Sequence, residues 1–159
     1  MNRELGCTFD NEVDLPKGWK RVTGVSNALV TAMLGSYWRH INDALGVMGF
    51  INALSGSELF ISSDGWVLIN NARPGFSAAV HAAKWGLHSD EDASSYEELL
   101  DWVASRGKFG VLNAAFADHA EMAIKLAKEI GFEEMGLIPA FDTYLGEIHN
   151  VKLFTRISH

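Results

Sequence analysis

Between Asp118 and Ile130 the apolar residues Met122, Ala123, Leu126, Ala127 and Ile130 recur at spacings of three and four, and Glu121, Lys125, Lys128 and Glu129 fill the positions between them. That period predicts a helix with one apolar stripe and one charged face. Asp118 stands where an N-cap is expected, and Glu121, three residues on, matches a capping-box partner. Gly131 predicts a left-handed helix exit, with Phe132 folding back onto the last turn. A strand through Leu137 and Ile138 and a closing hairpin over 141–157 follow.

Upstream, Trp19 to Val22 reads as a short strand. Ser26 suits an N-cap for a helix carrying Leu29, Val30, Met33 and Leu34, and Gly35 interrupts it before Tyr37, Trp38, Ile41, Leu45 and Met48 resume the spacing. Two helices, or one broken helix, reach about Leu54, and Ser55-Gly56-Ser57 is a loop. Two strand patterns, Glu58–Ser63 and Trp66–Asn71, meet at Asp64-Gly65, a pair that favours a primed two-residue turn. Ala72–Gly75 turns the chain into Phe76–Trp85, whose small and β-branched residues suit a strand buried on both sides. After a loop from Gly86 to Ala93, Ser94 or Ser95 caps a helix with Leu99, Leu100, Trp102 and Val103, ended by Gly107. Phe109–Phe116 is the next strand. The order β-α-α-β-β-β-α-β-α-β-β predicts an α+β protein, with residues 1–16 as a surface leader and 17–159 as one domain.

A chain of 159 residues is long enough for an unaided core. The single cysteine, Cys7, excludes an internal disulfide and a cysteine zinc cluster, and the six histidines show no metal-ligand spacing, so no metal is expected. A net charge of −7, with 20 acidic and 13 basic residues and no basic cluster, argues against nucleic-acid binding. Neither an export signal nor a run of about 18 apolar residues is found, so the expectation is a cytoplasmic protein without a membrane partner. A Gly-x-Ser-x-Gly elbow and a phosphate loop are both missing.

The helix with "IGFEEMGLIP" behind it resembles the C-terminal half of the GCN5-related N-acetyltransferase (GNAT) family, whose members often end in a helix, a glycine–phenylalanine turn and two strands. Residues 141–157, with Gly146, His149 and Asn150, resemble the closing hairpin of GNAT-like proteins encoded by tailed bacteriophages. The resemblance implies a mixed, mostly antiparallel sheet flanked by helices. It also implies transfer of an acetyl group from acetyl-CoA to a small-molecule or protein amine. In that family the fourth strand and the next helix hold acetyl-CoA, because free N–H groups and a helix dipole attract anions. The corresponding positions here are Val80, Ala82 and Lys84 on the strand, and Ser94 and Ser95 at the helix start.

Two departures stand against that activity. The family's glycine-containing pyrophosphate loop is replaced by Trp85–Ser95, with Asp90, Glu91 and Asp92 where the pyrophosphate is expected and only Lys84 or His88 to offset them. The family's helix asparagine and thiolate-protonating tyrosine fall on Ala120 and Ala127. Candidates for acid–base work are His81 on the fourth strand, Glu58 at the start of the second, and Tyr144 and His149 from the closing hairpin. Each has a plain structural alternative: a buried histidine bonded to a carbonyl, a solvated edge carboxylate, exposed hairpin residues. The rival expectation is a non-catalytic GNAT-fold phage protein that acts in virion or head assembly. Its partner is a phage structural protein, in the virion or the host cytoplasm, and its contact surfaces are the acidic loop and the aromatic segment Ser36–His40. A homodimer fits either expectation.

Overall fold

A computed structural model describes residues 6–10, 14–37, 51–52, 54–85, 93–118, 120–144 and 147–158, the side chains of residues 36–37 and 140–144 excepted. The elements are β1 (Thr8–Asp10), β2 (Lys20–Gly24), α1 (Asn27–Tyr37), β3 (Glu58–Ile61), β4 (Gly65–Arg73), β5 (Ser77–Lys84), α2 (Ser94–Gly107), β6 (Val111–Ala117), α3 (Glu121–Glu129), β7 (Glu133–Tyr144) and β8 (Glu147–Ile157). The strand order is β1-β2-β3-β4-β5-β6-β8-β7. Thr8–Asp10, inside the expected leader, pairs antiparallel with β2. The second helix expected after Gly35, together with Trp38, Arg39 and His40, lies largely outside the described residues. Gly35 itself does not interrupt α1, which runs through it to Tyr37.

The chain forms two compact units, one of Met1–Asn70 with His81–Glu91 and one of Asn71–Val80 with Asp92–His159. In the first, Leu29 and Met33 of α1 are fully buried with Leu59, Ile61, Trp66 and Leu68. Ser26 caps α1 as expected, its hydroxyl accepting from the Leu29 N–H at 3.1 Å. β3 and β4 form the expected antiparallel hairpin, with Ile61 opposite Trp66. Its turn is not of the primed type, because neither Asp64 nor Gly65 takes a positive φ. Instead the Ser62 hydroxyl accepts from the N–H groups of Asp64 (3.1 Å) and Gly65 (3.3 Å), and Gly65 enters β4. The Ser62 carbonyl accepts from the Trp85 indole at 2.7 Å.

In the second unit, β6 pairs antiparallel with β8 along its whole length, from Val111↔Ile157 to Ala117↔Val151, and β7 lies on the far side of β8. The core is built from Tyr96, Leu99, Leu100 and Val103 of α2, Ile124, Leu126 and Ala127 of α3, and Leu112 and Phe154 from the strands. Phe154 meets Phe116 edge to face at 5.6 Å. The buried stripe of α3 is Ala120, Ile124, Ala127 and Ile130 with Leu126. Met122, expected on it, is 57% exposed, and Ile124 is buried instead, while Leu126, Ala127 and Ile130 are buried as expected. β5 is not buried on both sides: Ala78 and Val80 are buried, and the residues between and after them are half-buried.

The remaining turns follow from backbone geometry. Arg73-Pro74-Gly75-Phe76 closes with Phe76 N–H on the Arg73 carbonyl at 2.9 Å, and Gly75 at φ +84° supplies the left-handed residue a type II turn needs. Gly131, at φ +95°, ends α3 as expected; its N–H and that of Phe132 go back to the carbonyls of Lys128 (3.2 Å) and Ala127 (2.9 Å). At the end of α2 the left-handed position is Lys108 (φ +53°), not Gly107. Gly107 is required because a Cβ there would overlap the Phe109 ring. Arg156 of β8 donates from Nε to the Ile130 carbonyl (2.8 Å) and from Nη2 to Asp101 of α2 (2.7 Å). β7 ends the strand order, and its register shifts twice, between Glu134 and Gly136 and between Ile138 and Asp142.

The Gly131→Ala variant forces an L side chain into the left-handed region and places a Cβ 3.3 Å from Arg156 Nε. It is expected to lower stability by about 1–2 kcal/mol in urea unfolding, with an unchanged denaturant slope.

Candidate active site

The parallel register of β5 with β6 covers Ser77↔Val111, Ala78↔Leu112 and Ala79↔Asn113 and stops there. β6 keeps its other edge on β8 as far as Ala117. A main-chain N–H or C=O beyond the last register pair takes its partner elsewhere, from other protein groups, water or a ligand.

In the second unit, α2 begins at Ser94 with Ala93 as its N-cap residue (φ −79°, ψ 1°), and no side chain caps that position. Neither Ser94 nor Ser95 is the cap, because the helix starts one residue earlier than a serine cap requires. The first turn keeps the positive end of the helix dipole, with Glu97 as its one acidic residue. Asp118 is not the cap of α3 either. That position is Ala120, and the Asp118 carboxylate points to the closing strand instead. Its Oδ1 lies 2.9 Å from His149 Nδ1, and its Oδ2 accepts from the Asn150 N–H at 3.4 Å. The Asp118 N–H donates to the Asn150 carbonyl at 2.9 Å.

Of the cofactor candidates, Val80 is buried in β5, Ala82 and Lys84 are half-buried further along it, Ser94 is exposed and Ser95 half-buried. Among the acid–base candidates, Glu58 lies 3.5 Å from Arg21, whose other nitrogen holds Asp10 at 3.1 Å. Tyr144 stands opposite Glu147 at the tip of the closing hairpin, and Asp142 stands opposite His149. His81 is half-buried on β5, and burial pushes its pKa below the usual histidine value. Asp90, Glu91, Asp92 and His88, proposed from sequence to surround the pyrophosphate, lie outside the described residues, as does Gly146. Sequence reasoning missed Asp118 as the partner of His149. Its local pattern reads as a cap, and its partner is 31 residues away. Among the described residues no group of histidine, cysteine and carboxylate side chains could hold a metal ion. No described helix is long and apolar enough to cross a membrane.

No protein-family model matches the sequence, and no curated protein matches it. Solved structures do. The ribosomal L7/L12 α-N-protein acetyltransferase RimL, in complex with coenzyme A, matches with a TM-score of 0.67 at 11% identity, over 92% of this chain and 97% of its own. The microcin C7 self-immunity acetyltransferase MccE, in complex with acetyl-CoA and AMP, matches with a TM-score of 0.64 at 9% identity, over 89% and 93%. The ribosomal-protein-alanine N-acetyltransferase of Brucella melitensis matches with a TM-score of 0.59 at 16% identity, over 84% and 96%. These likenesses show the fold. The chain has the GNAT-type α+β architecture, a mixed and mostly antiparallel sheet flanked by helices.

Burial of His81 gives a pH dependence with a definite sign. Its folded pKa is depressed, so below the unfolded value the unfolded state binds more protons. Stability is therefore full above the unfolded pKa of about 6.5 and is lost as pH falls from there. Melting temperatures measured from pH 8 to pH 5 are expected to fall less steeply in the His81→Gln variant than in the wild type.

Proposed function

We propose that this chain is an N-acyltransferase that takes its acyl group from acetyl-CoA and delivers it to an amine. The observation that carries the reading is the early end of the β5–β6 register. The parallel register ends at Ala79↔Asn113, while β6 stays paired with β8 as far as Ala117. In the family this chain resembles, the strand groups freed by such a parting pair with the pantetheine arm. Val80, in the same compact unit as β6 and α2, is the backbone position for that role. The α2 N-terminus suits the pyrophosphate, because Ala93 leaves the first turn without a side-chain cap to compete for its N–H groups. Ser94 and Ser95 are the residues there. In this reading acetyl-CoA would be held through main-chain groups at these positions. Acetyl-CoA, when bound, supplies a thioester-activated acetyl group.

Further support comes from the comparisons: the solved proteins that share the fold include acetyltransferases bound to coenzyme A or acetyl-CoA. The acceptor is an amine of small-molecule or protein origin in this reading, since solved proteins that share the fold include a spermidine N-acetyltransferase and a ribosomal-protein-alanine N-acetyltransferase.

Titration with acetyl-CoA tests the proposal. A ligand at 100 times its Kd adds about 2.7 kcal/mol of stability, so a clear rise in melting temperature is expected. An unmoved melting temperature at millimolar acetyl-CoA would falsify it. The Ser94→Asp variant separates binding from folding. A carboxylate in the first turn of α2 stabilises the helix by about 0.3–1 kcal/mol but repels a pyrophosphate. It is expected to raise the melting temperature of the free protein and to weaken acetyl-CoA binding by roughly tenfold, about 1.4 kcal/mol, by calorimetry.

A further inference from the structure

An acidic chain carries one corner without acids. Asp and Glu make up 20 of 159 residues, yet none falls in residues 65–89 or 102–117. Parts of these two stretches meet in the second unit, where the Arg73–Phe76 turn lies against the C-terminal end of α2. The Gly75 N–H donates to the Gly107 carbonyl at 3.0 Å, and the Phe76 carbonyl accepts from the N–H groups of Gly110 (2.9 Å) and Val111 (3.3 Å). Arg73 thereby joins Arg106 and Lys108, which no run of the sequence groups with it, and all three are exposed. Both guanidinium groups rest on rings, Arg73 at 5.6 Å from the centre of Phe76 and Arg106 at 4.9 Å from that of Trp102. A planar fork already held on a ring loses less side-chain freedom when it takes a carboxylate. Among the described residues neither Arg73 nor Lys108 has a carboxylate partner, and Asp101, the nearest acid before Arg106 in the chain, is held by Arg156 at 2.7 Å. Cations at a helix C-terminus offset its dipole, which accounts for Arg106 and Lys108. It accounts neither for Arg73 nor for Phe76, which the turn leaves 68% exposed.

We infer that this corner is a docking site for an acidic segment of another protein, one that carries Asp or Glu side chains around an apolar residue. Its carboxylates pair with Arg73, Arg106 and Lys108, and its apolar side chain packs on Phe76. The charge balance selects a short peptide segment over other anions. A net charge of −7 repels a nucleic acid or an anionic membrane wherever it reaches past the corner, and three cations are few against the roughly six to ten phosphate contacts of a nucleic-acid site. A peptide segment ends where the corner ends. The site is separate from the one proposed for acetyl-CoA, because the 14 residues of α2 set its C-terminal end about 20 Å from its first turn. The inference stands whether or not the chain transfers an acyl group.

Fluorescence anisotropy tests this with a fluorescein-labelled Glu-Glu-Glu-Phe-Glu-Glu-Glu peptide, beside Lys-Lys-Lys-Phe-Lys-Lys-Lys, single-stranded oligothymidylate and phosphatidylserine vesicles. The acidic peptide is expected to bind saturably at low salt and more weakly as salt is raised, and the lysine peptide is not expected to bind. Arg73→Glu and Lys108→Glu are each expected to raise the Kd of the acidic peptide by about fivefold or more, and Phe76→Ala by about fivefold. Urea unfolding checks that each variant folds. A second readout needs no variant: in 15N-labelled wild type, the peptide is expected to shift the amide signals of Gly75, Phe76, Gly107 and Lys108 first. Absence of saturable binding, equal binding of the lysine peptide, amide shifts that map elsewhere, or a Kd that neither charge reversal moves overturns the inference. Tighter binding of the oligonucleotide or of the vesicles through the same residues overturns the acidic segment as the occupant.

Discussion

Every main-chain N–H and C=O of a sheet needs a partner, and β6 meets this requirement unequally on its two edges. On one side seven residues pair with β8 without interruption; on the other the register with β5 lasts for three. The long antiparallel pairing holds β6 as a strand as far as Ala117, beyond the last residue that pairs with β5. The chemistry proposed for this protein depends on that inequality. So does the position of Asp118, which follows the last paired residue of β6 and is held by β8 itself.

The sequence made the element order legible, because the devices that set it are local. Ser26 caps α1 with its own hydroxyl, Gly131 takes the left-handed exit that ends α3, and the alternation on either side of Asp64-Gly65 produces the β3–β4 hairpin. The errors arose where two local devices compete. Asp118 satisfies the rules for a helix cap, but a charged hydrogen bond to His149 together with the Asn150 N–H outweighs the cap, and the helix starts later with Ala120 before it. Gly65 looks like half of a primed turn, but Ser62 supplies an acceptor for both turn amides and allows ordinary dihedrals. At the end of α2, steric pressure from Phe109 claims the glycine, and the left-handed conformation falls to Lys108.

The candidate site was legible only in part for a related reason. His81 and His149 could be named as residues able to move protons, but nothing in their neighbourhoods along the chain tells which has a carboxylate. That information lies in the pairing of β6 with β8, a contact between segments more than thirty residues apart. Glu58 likewise read as an edge carboxylate until β2 brought Arg21 beside it. A main-chain site of the kind proposed at the start of α2 leaves a weak sequence signal, because it is marked by the absence of a capping side chain.

β7 has a consequence of a different kind. A strand of twelve residues at the end of the sheet, with Met135 and Leu137 exposed, would ordinarily template another chain in a crowded cell. Its two register shifts, Glu133 and Glu134 at its start, and Pro139, which has no N–H to offer, break that edge into stretches too short and too irregular for a foreign strand to zip along. The protein can therefore carry apolar surface on its rim and still resist cross-β aggregation.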